Sequence, residues 1–225
     1  AYRYCKGKCG RTFHIGEDYV DAVDSLRYLD EAYTFFELQR GDRIGHALVL
    51  GEDIKDFYYK RNYTVLLQRR NLIDNIVWLI CRSQELNIIV DPRLKQVLEN
   101  TAQYHFSSLD LHVAWSITDY WHSMLIRSNT NKDPLQNADY ARCCESKNKR
   151  CQGNGAACNI WSRMHNEKTH SKELVQFVWP RDVLPVIMTL QKTLLKKFQN
   201  KGIVIETCPT GNRIIGHFER YDEHP

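Results

Sequence analysis

Apolar residues recur along the chain at spacings that predict its main elements. Between positions 20 and 38 they return every three or four residues, which predicts an amphipathic helix. Residues 43–50 and 203–208 are short apolar runs of the kind found in buried parallel strands. A further short run ends at Glu17, just before the first helix. The opening of the chain therefore predicts a β-α-β unit, and a related strand follows near residue 203.

The middle of the sequence predicts a mainly helical region. A wide apolar face or helical spacing marks residues 63–86, 92–105, 109–126, 171–178 and 181–200. Residues 128–170 are polar and poor in branched apolar residues, which predicts a long loop. Gly202 is expected to end the last helix.

Composition places the chain among globular proteins and gives little support to some functions. Its 225 residues are 43% hydrophobic and 26% charged, enough to build a substantial core. The net charge of +4 is mild for this length, so composition does not favour a nucleic-acid-binding surface. The longest apolar runs are too short for a bilayer, and no apolar leader follows a basic start. We therefore expect a cytoplasmic protein with no membrane span and mostly reduced thiols.

Several of the eight cysteines lie in the polar stretch 128–170. Thiolates and imidazoles are preferred zinc ligands, so a structural zinc ion is one interpretation of this stretch. The spacings are not those of familiar zinc fingers, and an ordinary loop with free thiols is the favoured interpretation. A cysteine-rich nucleic-acid-binding module centred on residues 140–170 remains an alternative. The residues concerned are Cys143, Cys144, Cys151, Cys158, His165 and His170.

Three short motifs bring together residue types that suit metal-assisted hydrolysis. Residues 11–17 read R-T-F-H-I-G-E, residues 43–47 read R-I-G-H-A, and residues 205–212 read I-E-T-C-P-T-G-N. The first motif places His14 and Glu17 three residues apart across a glycine, where an ending strand would deliver both side chains to one mouth. A neutral imidazole is a common zinc ligand, and a nearby carboxyl group can transfer protons.

Taken in this order, the motifs resemble those of the adenosine deaminase family of zinc-dependent purine deaminases. That family carries H-x-G-E, R-I-G-H-G and C-P-x-S-N elements at the ends of three successive strands of a (β/α)8 barrel. The chain departs from the pattern at Ala47, which replaces a glycine, and at Gly211, which replaces the serine. The resemblance implies an α/β fold with about three barrel strands and Zn²⁺ as the cofactor.

The resemblance also implies a role for each site residue. His14 matches the zinc-ligand histidine, and Glu17 matches the glutamate that delivers a proton to the purine ring nitrogen. His46 matches the histidine that orients the attacking water and stabilises charge on oxygen. Gly16 is expected to contact the substrate. Glu206, Pro209 and Asn212 belong to the third element, where a mainly structural role is expected.

The same resemblance divides the chain into residues 1–51 and 202–225, from the barrel, and 52–201, a mainly helical insertion. The family's H-x-H and S/T-D-D elements do not occur, so we expect the sequence to be an internal part of a larger protein and inactive by itself. The insertion is compatible with large bacterial RADAR-type antiphage-defence adenosine deaminases. Their expected substrates are adenosine, ATP or RNA adenosine, and their expected partners are further copies of the chain and an ATPase. A catalytically inactive scaffold is the alternative.

Overall fold

The computed structural model describes residues 10–129 and 155–211 and shows a mixed α/β chain. Short 3-10 turns occupy Leu48–Leu50, His170–Lys172 and Arg181–Val183. The strands and helices are, in chain order, β1 (Thr12–Ile15), α1 (Ala22–Phe35), β2 (Arg43–His46), α2 (Ile54–Tyr59), β3 (Thr64–Gln68), α3 (Arg69–Glu85), α4 (Pro92–Ser107), α5 (Ile117–Asn129), α6 (Gly155–Asn166), β4 (Leu174–Val178), α7 (Leu184–Lys201) and β5 (Val204–Glu206).

The chain folds into two compact units. The first comprises Ala1–Leu66 with Gln176–Pro225, and the second is the continuous segment Leu67–Val175. The boundaries fall within β3 and β4, which are neighbours in a two-stranded sheet. These boundaries differ from those at residues 51/52 and 201/202, which separate the predicted barrel segments from the predicted insertion. That division stays a prediction.

A parallel sheet in the order β1-β2-β5 is the centre of the first unit. Its register places Phe13, Ile44 and Ile205 in one row, and Ile44 has no exposed surface. The preceding row, Thr12, Arg43 and Val204, is exposed. Because side chains alternate between the two faces of a strand, one face of the sheet is packed and the other is open among the described residues.

Helices α1 and α7 supply the apolar packing of the first unit. Asp21 caps α1 by accepting a hydrogen bond from the backbone amide of Val23, a stabilising arrangement for a helix start. The two helices contact each other, with the rings of Tyr33 and Phe198 5.6 Å apart. A stacked pair of rings, Phe13 and Phe36 at 4.6 Å, joins β1 to the end of α1. The β1-α1-β2 order and the α7-β5 order thus follow the apolar periodicity.

The second unit is mainly helical and contains α3, α4, α5 and α6. Its core is rich in aromatic side chains: Phe106 contacts both Trp115 and Tyr120. The buried hydroxyl of Tyr120 donates to Asp74 at 2.7 Å, which satisfies a polar group inside the apolar unit. These contacts, together with the burial of Trp121, give the three aromatic side chains Trp115, Tyr120 and Trp121 packing roles.

Five sequence predictions of local structure were wrong in part. The strand predicted over residues 43–50 ends at His46, and Leu48–Leu50 form a 3-10 turn. Residues 64–68 and 174–178 form strands, although both stretches were predicted to be helical. In β3 the side chains of Val65 and Leu67 are buried while Leu66 is 53% exposed, a period of two that an unbroken apolar run conceals. Helix α5 begins at Ile117 rather than near residue 109, and α6 lies inside the stretch predicted as a loop.

The observed architecture confirms an α/β class with parallel strands, while closure into a (β/α)8 barrel stays a prediction. Each pair of adjacent strands in the three-stranded sheet is parallel, as in a barrel wall. Within the described ranges, no helix combines the length and the hydrophobicity needed to cross a bilayer.

Candidate metal and proton-transfer site

The turn after β1 presents the first two site residues. His14 lies on the open face of the sheet and is exposed, while Glu17 is partly exposed beyond the strand. Gly16, between them, has a φ angle of 77°, a left-handed conformation that suits glycine. A Cβ atom at this position would lie 2.9 Å from the hydroxyl oxygen of Ser25. Glycine therefore allows the chain to turn sharply enough for Glu17 to return towards the sheet.

The turn after β2 presents the third site residue through an unusual backbone. His46 and Ala47 both adopt positive φ angles, 72° and 47°, although neither is glycine. The amide of Ala47 donates to the carbonyl of Ile15 at 2.9 Å, and the amide of Leu48 donates to Gly16 at 3.1 Å. These bonds tie the two turns together. Such strained backbone is often found at functional sites, where the surrounding structure holds it in place.

The three predicted site residues converge. One potential ligand atom from each of His14, Glu17 and His46 lies within 4.8 Å of the other two. Nε2 of His46 is 2.8 Å from Oε2 of Glu17, and the rings of His14 and His46 are 5.2 Å apart at 66°. His46 is only 9% exposed, so its ring is held firmly while His14 stays open to ligands.

Gly45 makes room for this arrangement. It is the register partner of His14 on the neighbouring strand, and a Cβ built at Gly45 would lie 3.0 to 3.2 Å from three atoms of the His14 ring. The imidazole therefore lies across the glycine. Any larger residue at position 45 would displace the His14 ring from its place beside His46.

A cavity of about 460 Å³ opens beside the converging residues. Its polar lining includes His14, Glu17, Asp18 and Glu31, and its apolar lining comes from the aromatic end of α1. The volume lies within the range of small-molecule sites, which are usually apolar with a few well-placed polar groups. Gly16, predicted to contact substrate, also lines this cavity.

The donor set fits a divalent metal ion. Two imidazole nitrogens and one carboxylate oxygen are ligands that zinc accepts, and a catalytic zinc site has three protein ligands with one position left for water or substrate. The described residues contain this one group of three or more possible ligands. His14 was predicted as a ligand and is brought to this group. Glu17 and His46, predicted as catalytic groups, are close enough to contact the same ion.

The third motif lies at the end of β5, and its described residues do not join the group. Glu206 accepts a hydrogen bond from Arg43 at 2.5 Å, linking the neighbouring strands on the open face. Cys208 is exposed, and a Cβ on Gly211 would lie 3.2 Å from its sulfur atom. The strand contact agrees with the structural role expected of Glu206, whereas Asn212 lies outside the described residues.

The cysteine-rich stretch is described only in part. Cys5, Cys9, Cys143, Cys144 and Cys151 lie outside the described residues. Cys158 is buried on α6, and the ring of His165 stacks on Trp161 at 5.6 Å. His170 pairs with Glu173 at 2.8 Å. The described members of this stretch therefore have packing or ion-pair contacts, and the zinc interpretation of the whole stretch stays a prediction.

Several residues that support the site were not singled out from the sequence. Tyr19, only two residues after Glu17, hydrogen bonds to Glu52, and Gln191 from α7 holds the loop after β2. At the opposite end of the strands, Arg11 and Asp42 form a buried ion pair. Arg11 begins the first motif, but its partner is 31 positions away and shares no pattern with it. Burial of a polar side chain depends on the complete fold and has no local sequence signal.

Comparison with protein-family models and with curated protein sequences finds no match to this chain.

Proposed function

We propose that this chain forms part of a zinc-dependent hydrolase that deaminates adenosine or an adenine nucleotide. The observation that carries the proposal is the convergence of His14, Glu17 and His46 beside a cavity, at the carboxyl ends of adjacent parallel strands. Ligands in open α/β proteins commonly bind at this edge of the sheet. Each of the three motifs resembles one deaminase element, and the site residues of the first two motifs lie together in the fold.

Each side chain has a distinct task in the proposed reaction. His14 would be one ligand of the metal, through its exposed imidazole. Zinc, when bound, supplies a water that is nucleophilic at neutral pH. His46, fixed by burial and by its contact with Glu17, would orient that water and stabilise negative charge on its oxygen. Glu17 would carry a proton to the ring nitrogen next to the carbon that bears the amine.

The cavity supports a purine as the reacting group. Its walls include Tyr28, Phe35 and Phe36, which offer apolar surface to a flat ring, and Gly16 allows close approach of the backbone. The proposal extends to a (β/α)8 barrel, with the helical second unit carried between its strands. It also extends to the antiphage-defence branch, with a cytoplasmic location, self-assembly, an ATPase partner and ATP or RNA adenosine as further substrates.

Ammonia release from adenosine, ATP and adenosine-containing RNA tests the reaction in the whole protein to which this chain belongs. Glu17→Gln keeps the shape of the side chain but removes its acid-base function, so activity should fall by about 10²- to 10⁴-fold. Glu99→Gln, in the helical second unit, is the matched control and should retain activity. Equal ammonia release by the Glu17→Gln variant and the unmodified protein would refute the assignment.

Metal content separates the roles of the two histidines. His14→Gln should lose both bound zinc and activity, because it removes a ligand. His46→Gln should keep bound zinc but lose activity, because it removes a group that acts on the water. Metal analysis of the purified variants distinguishes these outcomes, and loss of zinc from His46→Gln would show that His46 is a ligand instead.

A further inference from the structure

The loops that carry Glu17 and His46 are joined by a partly buried polar network. The hydroxyl of Tyr19, in the loop after β1, donates to Oε2 of Glu52 at 3.1 Å. Glu52 belongs to the loop after β2, and its backbone carbonyl accepts a hydrogen bond from Nε2 of Gln191 at 2.8 Å. The same nitrogen donates to the carbonyl of Val49 at 2.7 Å. One loop is thus tied to the other, and the second loop is tied to a helix.

Burial makes this network stiff. Tyr19 is 5% exposed and Gln191 is 8% exposed. A tyrosine hydroxyl is a neutral donor at physiological pH. Burial, with the nearby Glu52 carboxyl adding to its effect, raises the pKa of Tyr19 above its ordinary value. Burial also raises the pKa of Glu52, against the opposing effect of the hydrogen bond from Tyr19. Breaking such bonds would leave buried polar groups without their partners, which is costly.

Helix α7 provides a firm base for the network. Ile187, Leu190 and Leu194, around Gln191, have no exposed surface and anchor the helix in the core of the first unit. A side-chain amide has two hydrogens, and Gln191 uses its amide nitrogen to bind two carbonyls of one loop. The loop that begins at His46 is therefore fixed to a helix more than 130 residues away in sequence.

We infer that Tyr19, Glu52 and Gln191 are positioning residues for the Glu17–His46 pair. They hold the two site loops at the separation that leaves Oε2 of Glu17 2.8 Å from Nε2 of His46. The backbone bonds from Ala47 to Ile15 and from Leu48 to Gly16 join the same two turns, so they report on that separation. The catalytic meaning of this placement rests on the proposed function, whereas the placement itself does not.

Amide hydrogen exchange in the full chain tests the inference without any need for activity. Gln191→Met keeps the size of the side chain and removes its donors, and Gln199→Met, on the exposed side of α7, is the control. Exchange at Ala47 and Leu48 should quicken about tenfold in Gln191→Met, the change expected for one lost buried hydrogen bond. Leu26 in α1 should change less. Unchanged exchange at Ala47 and Leu48, or an equal change at Leu26, would overturn the inference.

Tyr19→Phe tests the other end of the network and removes one hydroxyl. Tyr33→Phe, which retains the ring that packs on Phe198, is its control. Tyr19→Phe should also quicken exchange at Ala47 and Leu48, while Tyr33→Phe should not. Equal exchange in the two variants would contradict a role for Tyr19.

Kinetics in the whole protein then separate this inference from the proposed function. Gln191→Met should lower kcat for deamination with little change in KM, since it moves groups that act on the reacting atoms. Faster exchange at Ala47 and Leu48 would support the positioning inference even if the whole protein released no ammonia, a result that counts against the proposed function alone. Unchanged kcat together with unchanged exchange would overturn the positioning inference alone.

Discussion

The two ends of the β1–β2 pair differ in whether their polar side chains are buried or accessible. At the amino end, the guanidinium of Arg11 and the carboxylate of Asp42 are buried together. The guanidinium also donates to the carbonyls of Phe36 and Glu37, and Asp42 accepts from the amide of Gln39. At the carboxyl end, the His14 imidazole is exposed and the Glu17 carboxyl is partly exposed, beside the buried ring of His46 and two left-handed turns. The amino end stabilises the fold, and the carboxyl end leaves His14 and Glu17 accessible at a cost in backbone strain.

This contrast indicates where substitutions should affect stability most. A buried ion pair whose partners are both satisfied becomes a large liability when one partner is removed, because the other is left as an unpaired buried charge. Backbone strain in a turn has a smaller effect on the free energy of unfolding, and a substitution can either relieve or increase that strain. We therefore expect the free energy of unfolding to change most when the buried ion pair is broken. It should change less when the turn after β1 is strained further, and least when the turn after β2 is relaxed.

Arg11→Met should give the largest effect. It leaves the Asp42 carboxylate buried without its guanidinium partner, and we expect a loss of about 3 to 5 kcal/mol in the free energy of unfolding. Urea denaturation monitored by circular dichroism at neutral pH measures it. Amides of α3, in the second unit, should show no comparable increase in hydrogen exchange. A loss below about 1 kcal/mol, typical of an exposed pair, would remove the contrast between the two ends.

Acid provides the control for this prediction. Burial by itself would raise the pKa of Asp42, but the hydrogen bonds from Arg11 and from the amides of Gln39 and Arg11 together lower it. A carboxyl group with a lowered pKa in the folded state stabilises the fold above its unfolded-state pKa of about 4, and this contribution is lost as the pH falls through the folded-state value. The stability difference between the natural chain and Arg11→Met should therefore narrow below about pH 4. A constant difference would argue against the ion pair as its cause.

Gly16→Ala should have the next largest effect. The backbone of the substituted residue must keep a φ angle of 77°, and its new methyl group would lie 2.9 Å from the Ser25 hydroxyl. We therefore expect a loss of about 2 to 3 kcal/mol in the free energy of unfolding. The same denaturation experiment measures it, and Gly155→Ala, where a Cβ meets nothing within 4 Å, is the control.

A second substitution separates the two causes of the Gly16→Ala effect. The Ser25 hydroxyl is buried and has no hydrogen-bond partner among the described residues, so Ser25→Gly removes the overlapping atoms without breaking a bond. The double variant should recover the steric part of the loss but retain the backbone part, about 1 kcal/mol. Strictly additive effects of the two substitutions would show that the overlap is unimportant.

Ala47→Gly should have the smallest effect, in the opposite direction. Ala47 already adopts a left-handed conformation at φ 47°, where the resembled family has glycine. The substitution should raise the free energy of unfolding by about 0.5 to 1 kcal/mol, because relief of strain outweighs the added freedom of the unfolded chain. Ala32→Gly, inside α1, should instead destabilise. A loss of stability in Ala47→Gly would mean that the strain at this turn is negligible.

The location of the site could be predicted from sequence more easily than its supports. His14 is the last residue but one of β1 and His46 ends β2. Because the carboxyl ends of adjacent parallel strands share one edge, their proximity follows from topology. Gln191 gave no such signal, because its hydrogen-bond partners lie about 140 positions away and its burial depends on the folded helix. A glutamine on a helix is ordinarily a surface residue.

The strands β3 and β4 illustrate the limit of periodicity in secondary structure. Val65 and Leu67 are buried beside an exposed Leu66, so hydrophobicity is continuous where burial alternates. When an apolar run lies next to an amphipathic helix, periodicity alone predicts that the run belongs to the helix. The pairing of β3 with β4, more than 100 residues apart, depends on contacts that no local pattern contains.

The amide of Trp179 donates to the carbonyl of Tyr63 at 2.9 Å. The chain therefore leaves the first unit and re-enters it at neighbouring points. A short engineered turn could therefore bridge the two cut ends in place of the segment between them, at a small entropic cost for closing the loop. The segment could equally lengthen, shorten or be exchanged over generations without disturbing His14, Glu17 and His46. Such a junction makes the first unit a portable module and leaves the helical unit open to independent change.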